Sequence, residues 1–124
     1  MTFSKKAILL SGILLCAFVQ LGAQVRQTRE EYISRYMPIA IAHMERYGIP
    51  ASITMAQGIL ESDCGNSLLS MKSNNHFGIK CKRNWTGDKV YHDDDAKGEC
   101  FRSYPSVEAS YRDHAEFLDS QPRY

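Results

Sequence analysis

Three groups of residues in this chain could carry chemistry. The first is Glu61, within Ala56-Gln57-Gly58-Ile59-Leu60-Glu61-Ser62-Asp63-Cys64-Gly65-Asn66-Ser67. It closes an otherwise apolar helical run and is followed at once by a Gly/Asn/Ser breaker. A carboxyl half-sheltered by apolar neighbours has its acid form favoured. That is what a general acid needs in order to protonate a leaving-group oxygen. The plainer alternative is a helix-end carboxylate in a local salt bridge. The second group is acidic: Asp93, Asp94, Asp95 and Glu99. Cleavage of a glycosidic bond needs a second carboxylate across that bond, and an acidic turn facing a helix could supply it. A solvated charge run is the commoner meaning of such a cluster, and the alternating spacing of a calcium loop is lacking. The third group is aromatic: Trp85, Tyr91, Phe101 and Tyr104. Aromatic faces stack on sugar rings through their apolar sides. Phe101 reads as core, whereas Trp85 and Tyr91 stay open as sugar contacts.

Cysteine and histidine add weaker signals. His76, Cys81, His92, Cys100 and Cys64 are zinc-ligand types, but no Cys-x-x-Cys or His-x-x-x-His spacing is present. Cys64 with His76 or His92 could form a nucleophile pair. Cys64 follows a helix end, though, and so lacks the helix N-terminus that would lower a thiol pKa. Cys81 and Cys100 flank a polar, turn-rich stretch and are the better disulfide pair, which leaves Cys64 as the odd thiol.

Certain elements must position these groups. Thr28-Arg29-Glu30-Glu31 is a capping box. Ile33, Tyr36, Met37, Ala40, Ile41 and Met44 then follow at helical spacing. Pro38 predicts a kink or a break between two helices, and Gly48 a left-handed cap. Pro50 opens the next helix from its first turn. Ile53, Ala56, Ile59 and Leu60 make that helix largely apolar, hence central. A short helix over 66–72 ends at Asn74-Asn75. His76–Cys81 reads as a short strand, Asn84–Asp88 as a turn, Lys89–His92 as a strand, Asp93–Gly98 as an acidic turn, and Glu99–Tyr104 as a returning strand. If the strands pair, Cys81 and Cys100 can meet across them. Ser106 caps a last helix with one face made of Val107, Tyr111, His114 or Ala115, and Leu118.

Bulk properties bound the rest. The 124 residues allow one domain. Lys5 and Lys6 followed by the apolar run Ala7–Val19, with small Ala23 ahead of Gln24, read as an export signal over 1–23. The run is short of the ~20 apolar residues of a spanning helix, so no stable membrane insertion is expected after cleavage. Leu15 before Cys16 is not the small residue that lipid attachment wants. Residues 24–124 form the expected domain. Lys5 and Lys6 are the basic residues before it, so 13 of the 15 Lys and Arg remain beside all 14 acids. No polycationic surface results, which argues against nucleic acid as a partner. An exported domain makes a disulfide plausible. There is no internal repeat and no low-complexity segment.

Four ordered motifs add a resemblance. Tyr47-Gly48-Ile49-Pro50-Ala51-Ser52, Ala56-Gln57-Gly58-Ile59-Leu60-Glu61-Ser62, Asn75-His76-Phe77-Gly78-Ile79-Lys80 and Phe101-Arg102-Ser103-Tyr104 resemble the glucosaminidase domain of glycoside hydrolase family 73. That group includes peptidoglycan-cleaving domains of flagellar and autolysin proteins. The resemblance covers about residues 30 to 124. It implies an α+β, lysozyme-like fold, mainly helical with a small β-hairpin lobe. It also implies cleavage of the β-1,4 bond between N-acetylglucosamine and N-acetylmuramic acid in glycan strands of the bacterial envelope, with no cofactor or metal. Glu61 matches the family's catalytic acid, Asp94 or Asp95 its hairpin carboxylate, and Phe77-Gly78 the turn bordering the cleft. There are two departures. Cys64 stands where relatives often carry an aromatic, and the chain stops at Tyr124 where the family's domain continues into a helical segment bearing a cleft tyrosine. A domain truncated in this way could hold glycan without cutting it. A lytic transglycosylase and a disulfide-held structural protein are further alternatives.

Overall fold

A computed structural model describes residues 25–122. The expected export signal over 1–23 lies outside the described residues. The elements run α1 (Arg29–Tyr47), α2 (Ala51–Ser62), α3 (Leu68–Ser73), β1 (Lys89–His92), β2 (Glu99–Arg102) and α4 (Val107–Asp119). Helix α1 packs against both α2 and α4, and the two strands form an antiparallel hairpin beside them.

Local chemistry sets the helix ends. The Thr28 hydroxyl accepts from the Glu31 N–H at 3.1 Å, and Ser106 caps α4 through the Ala109 N–H. Gly48 takes the left-handed conformation at φ 74° and donates its N–H to the Met44 carbonyl. Helix α3 starts at Leu68 behind a Ser67 cap, later than the expected 66, and ends at Asn74 in the left-handed region. Pro38 does not break α1, which is continuous from Arg29 to Tyr47. The carbonyl that Pro38 cannot serve is that of Ser34. Both residues are exposed, so water satisfies the freed carbonyl and the helix need not part.

The expected strand at His76–Cys81 is also corrected. Only an isolated bridge between Lys80 and Phe101 is present. The side chain of Asn75 supplies the bonding that a ladder would have given. Its Oδ1 accepts from the Phe77 and Ile79 N–H groups, and its Nδ2 donates to the Ile79 and Arg102 carbonyls. Asn75 is 1 % exposed, so these bonds hold the segment in a buried turn. The hairpin itself pairs Lys89 with Arg102, Val90 with Phe101, Tyr91 with Cys100 and His92 with Glu99. The returning strand ends at Arg102 rather than Tyr104.

Cys81 and Cys100 form a disulfide across a sequence separation of 19. It ties the Asn75–Lys82 segment to β2, beside the bond from the Cys81 N–H to the Cys100 carbonyl. Closing a loop of this size removes unfolded-chain entropy worth about 3 kcal/mol. Double replacement of Cys81 and Cys100 by alanine is expected to lower unfolding free energy by that amount in a urea titration. A loss below about 1 kcal/mol would contradict the loop-closure account.

The core is small and rich in tyrosine. Tyr32, Tyr36, Ala40, Ala51, Met55, Phe77 and Tyr111 form it. Ile41 and Met44, expected on the buried stripe, are exposed, because the stripe narrows to Tyr32, Tyr36 and Ala40 where α1 meets its neighbours. The Tyr32 and Tyr111 hydroxyls bond each other at 2.6 Å, and Tyr32 also meets His76 Nδ1 at 2.9 Å. Burial pushes the Tyr32 phenol up to about 12, partly offset by its bond to Tyr111, and the Tyr111 phenol higher still. Both are therefore neutral hydrogen-bonding groups. Gly58 makes room for the pair, since a Cβ there would lie 2.8 Å from the Tyr32 hydroxyl and 2.9 Å from that of Tyr111. Helix propensity alone predicts that Gly58→Ala stabilises. We expect the opposite, a loss of roughly 1–3 kcal/mol from overpacking, read as a lower melting temperature.

Candidate active site

Glu61 lies in the last turn of α2, one residue before its end at Ser62. The following Asp63, Cys64 and Gly65 all have positive φ, which turns the chain away sharply and leaves the helix end open. Ser62 holds that turn: its hydroxyl donates to the Gly58 carbonyl and accepts from the Gly65 N–H. The Glu61 side chain is directed over Gly78, where a Cβ would stand 3.2 Å from Glu61 Oε2. Gly78 has φ 63°, a conformation glycine adopts without steric cost. It therefore serves both the turn and the space beside the carboxylate.

A cleft of about 350 Å³ opens here. Helix α2 contributes Gln57 and Glu61, the Asn75-held turn contributes Phe77, Gly78 and Ile79, and α4 contributes His114, Phe117 and Leu118. Lys80 and Lys82 complete the rim. Glu61 is the lone carboxylate in this lining. It makes no hydrogen bond or ion pair among the described residues. The apolar run before it predicts a half-sheltered carboxyl, but Glu61 is exposed. The apolar residues preceding it on α2 point elsewhere, and Leu60 itself is 80 % exposed. The Gly78 turn stands on one side of the carboxyl.

The other candidates are distributed unevenly. Phe77 and Gly78 line the cleft. Asp94 and Asp95 are exposed in the turn between β1 and β2 and lie outside the cleft lining. Their charges act on Lys80, whose ammonium is held above its ordinary value first by its bond to Glu99. That ion pair is 3.1 Å long. Trp85 is half-buried and engaged within the hairpin lobe. Its Nε1 donates to the Asp88 carbonyl, and its ring packs against the Arg102 guanidinium at 4.6 Å and the Tyr104 ring at 5.6 Å. Tyr91 is 61 % exposed on β1, away from the cleft lining. Cys64 is a free, half-buried thiol packed against the core.

Sequence reasoning missed Gln57, His114, Phe117 and Leu118 as cleft residues. Gln57 precedes Glu61 by four residues and so shares its helix face. His114, Phe117 and Leu118 stand at i, i+3 and i+4 on α4, a spacing that marks one face. Neither pattern says that the two faces oppose each other. His114 Nε2 meets Gln57 Oε1 at 2.7 Å, and its ring stacks on Phe77 at 3.8 Å. Burial, assisted by the charge of His43, holds the His114 imidazole down to about 4, so it is neutral at pH 7.

The chain is similar to several known proteins. Residues 37–124 match the glucosaminidase family described as mannosyl-glycoprotein endo-beta-N-acetylglucosaminidase. The chain is 34 % identical over 108 residues to the peptidoglycan hydrolase FlgJ of Vibrio cholerae, covering 78 % of this chain and 32 % of that protein. It is 44 % identical over 82 residues to the exo-glucosaminidase LytG of Bacillus subtilis, covering 60 % of this chain and 28 % of that protein. It thus spans about a third of the length of these curated relatives. Among solved structures, a peptidoglycan hydrolase from Sphingomonas sp. A1 superposes with a TM-score of 0.68 at 32 % identity, covering 78 % of this chain and 65 % of that one. The glycoside hydrolase domain of Salmonella typhimurium FlgJ gives 0.67 at 27 % identity, covering 79 % and 65 %. The fold is thus of the lysozyme-like glycoside hydrolase type. With the family match spanning well over half its length, the chain belongs to the glucosaminidase family.

Proposed function

We propose that this chain is a peptidoglycan hydrolase domain that cleaves the β-1,4 bond between N-acetylglucosamine and N-acetylmuramic acid, with Glu61 as general acid. One observation carries the reading: Glu61 is the sole carboxylate lining a cleft whose apolar wall includes Phe77, Ile79, Phe117 and Leu118. Such walls suit the apolar faces of pyranose rings. A glycan strand seated there would exclude water from the Glu61 carboxyl and from the bond it faces. The carboxyl proton passes to the glycosidic oxygen as the C1–O bond breaks, water adds its hydroxyl to C1, and the remaining water proton restores the Glu61 carboxyl, directly or by way of the hairpin carboxylate and solvent. Asp94 or Asp95 is the hairpin carboxylate that activates this water or stabilises the cationic sugar. That role requires the hairpin turn to approach the cleft when substrate binds. The substrate sits in the cell envelope, so we assign the domain to export.

Gly78→Ala tests the geometry around the acid. Left-handed alanine costs roughly 1–2 kcal/mol of stability, and the added methyl would crowd Glu61 Oε2. We expect kcat on purified cell walls to fall at least about tenfold, as misplacement of a reacting group entails, with the protein still folded by circular dichroism.

The solitary carboxylate in the cleft also favours a second reading. In a lytic transglycosylase one acid protonates the leaving oxygen, and the muramic acid 6-hydroxyl closes on its own C1 in place of water. Mass spectrometry of a digest separates the two. Reducing N-acetylglucosamine ends support hydrolysis, whereas anhydro-muramic ends overturn it.

A further inference from the structure

We propose that Gln57 recognises the 2-acetamido group of the bound sugar, donating from its carboxamide to the acetamido carbonyl oxygen, and that His114 is the positioning residue that orients it. The inference rests on reading the cleft as a glycan site.

The geometry begins with His114. Its ring is 6 % exposed and lies flat on Phe77, with centroids 3.8 Å apart and planes 14° from parallel. Nε2 is 2.7 Å from Gln57 Oε1, and Nδ1 is buried with no partner. A neutral imidazole carries one N–H. Were that hydrogen on Nδ1, a donor would be orphaned in the interior. Orphaned buried N–H groups are rarer than unsatisfied acceptors. The hydrogen therefore sits on Nε2 and donates to Gln57 Oε1, which fixes the carboxamide with its oxygen toward His114. The Gln57 NH2 group, exposed in the cleft, has no partner among the described residues. It offers two donors one helical turn from Glu61, about 6 Å between Cβ atoms. The 2-acetamido group is carried on the carbon next to C1, at this range from the bond that Glu61 would protonate. The cleft's other donors are less suited to a neutral carbonyl: Lys80 pairs with Glu99, and the Lys82 ammonium lies over the Phe117 ring at 4.5 Å.

Titration calorimetry with the tetramers of N-acetylglucosamine and of glucosamine tests this without requiring bond cleavage. The wild-type chain is expected to bind the acetylated tetramer at least about tenfold more tightly, the scale of one well-placed hydrogen bond. Gln57→Leu should shrink that ratio to within about threefold. Gln57→Glu should bind the acetylated tetramer more weakly, because it keeps the acceptor for His114 but loses the donors. Taking the ratio between the wild-type chain and the equally uncharged Gln57→Leu cancels the charge of the glucosamine amines. Gln57→Glu adds a carboxylate that attracts those amines and is therefore scored on weakened binding of the acetylated tetramer alone. His114→Phe keeps the stack on Phe77 and should also lower the ratio. If that variant fails to fold, the two Gln57 variants decide, since their side chain is exposed. The proposal is overturned if the wild-type chain shows no acetyl preference, binds neither tetramer, or if Gln57→Leu weakens both tetramers equally. A chain with a Gln57-dependent preference that cuts no glycan would keep this assignment and lose the hydrolase reading.

Discussion

Replacing Glu61 by glutamine is expected to slow release of reducing sugar from purified cell walls by about a thousandfold, within the range that general acid catalysis supplies. The amide keeps the shape of the side chain and cannot deliver its proton. Stability should be unaffected, because Glu61 is exposed and bonds nothing among the described residues. Binding of glycan should survive as well, since the walls of the cleft belong to other residues. The measurement is turbidity loss together with reducing-end release, with the urea midpoint taken alongside. A Glu61→Gln chain that cuts as fast as the parent would sink the assignment of the acid. A parent chain that binds walls and releases nothing would support the alternative of a glycan-holding module.

Acid is expected to destabilise this domain through two buried imidazoles. His76 is 3 % exposed, enclosed by the rings of Tyr32, Tyr36 and Tyr111. Burial holds its imidazole down to about 4, against a small opposing pull from Glu108. His114 is lowered to about 4, again chiefly by burial. In the unfolded chain both titrate near 6.5. Between pH 6.5 and 4 the unfolded state therefore binds more protons than the native one, and stability rises with pH across that window. The native state is undiminished above pH 6.5 and loses stability as pH falls through the folded values near 4. Each imidazole contributes roughly 3 kcal/mol to the fall when fully developed. Together that is a large part of the 5–15 kcal/mol typical of a domain. The urea midpoint should drop steeply from pH 7 to pH 4.5, and His114→Phe should flatten the slope by about half. An equal midpoint at both pH values would show that the imidazoles are hydrated or bridged by water.

The elements that were legible are those written in local chemistry. Thr28 and Ser106 cap their helices, Gly48 ends α1, and the acidic turn joins two paired strands, because each decision involves residues a few positions apart. The break that Pro38 allows for does not occur, for a related reason. The local penalty is real, but the packing of α1 against α2 and α4 and the exposure of the freed carbonyl outweigh it. The segment at His76–Cys81 misled because alternation suits a strand, whereas one buried side chain, Asn75, bonds the backbone into a turn. The disulfide lay between the two cases. Its pairing followed from cysteine count and flanking turns, and its structural role follows from the tie between a cleft-forming turn and β2.

The site divides along the same line. By itself the sequence singled out Glu61 as the candidate acid, since a lone charge ending an apolar helix is a local pattern, and its ordered motifs pointed to the family. The tertiary structure decided what surrounds that acid. Gln57 and His114 meet across 57 positions and Tyr32 and Tyr111 across 79, distances over which periodicity carries no information about which faces oppose. The structure also left Asp94, Asp95, Trp85 and Tyr91 out of the cleft lining. A residue type can announce that it is able to donate a proton or stack on a sugar. Only the packing of α2, the Asn75-held turn and α4 settles which such residues share one enclosed volume, because enclosure is a property of several segments at once.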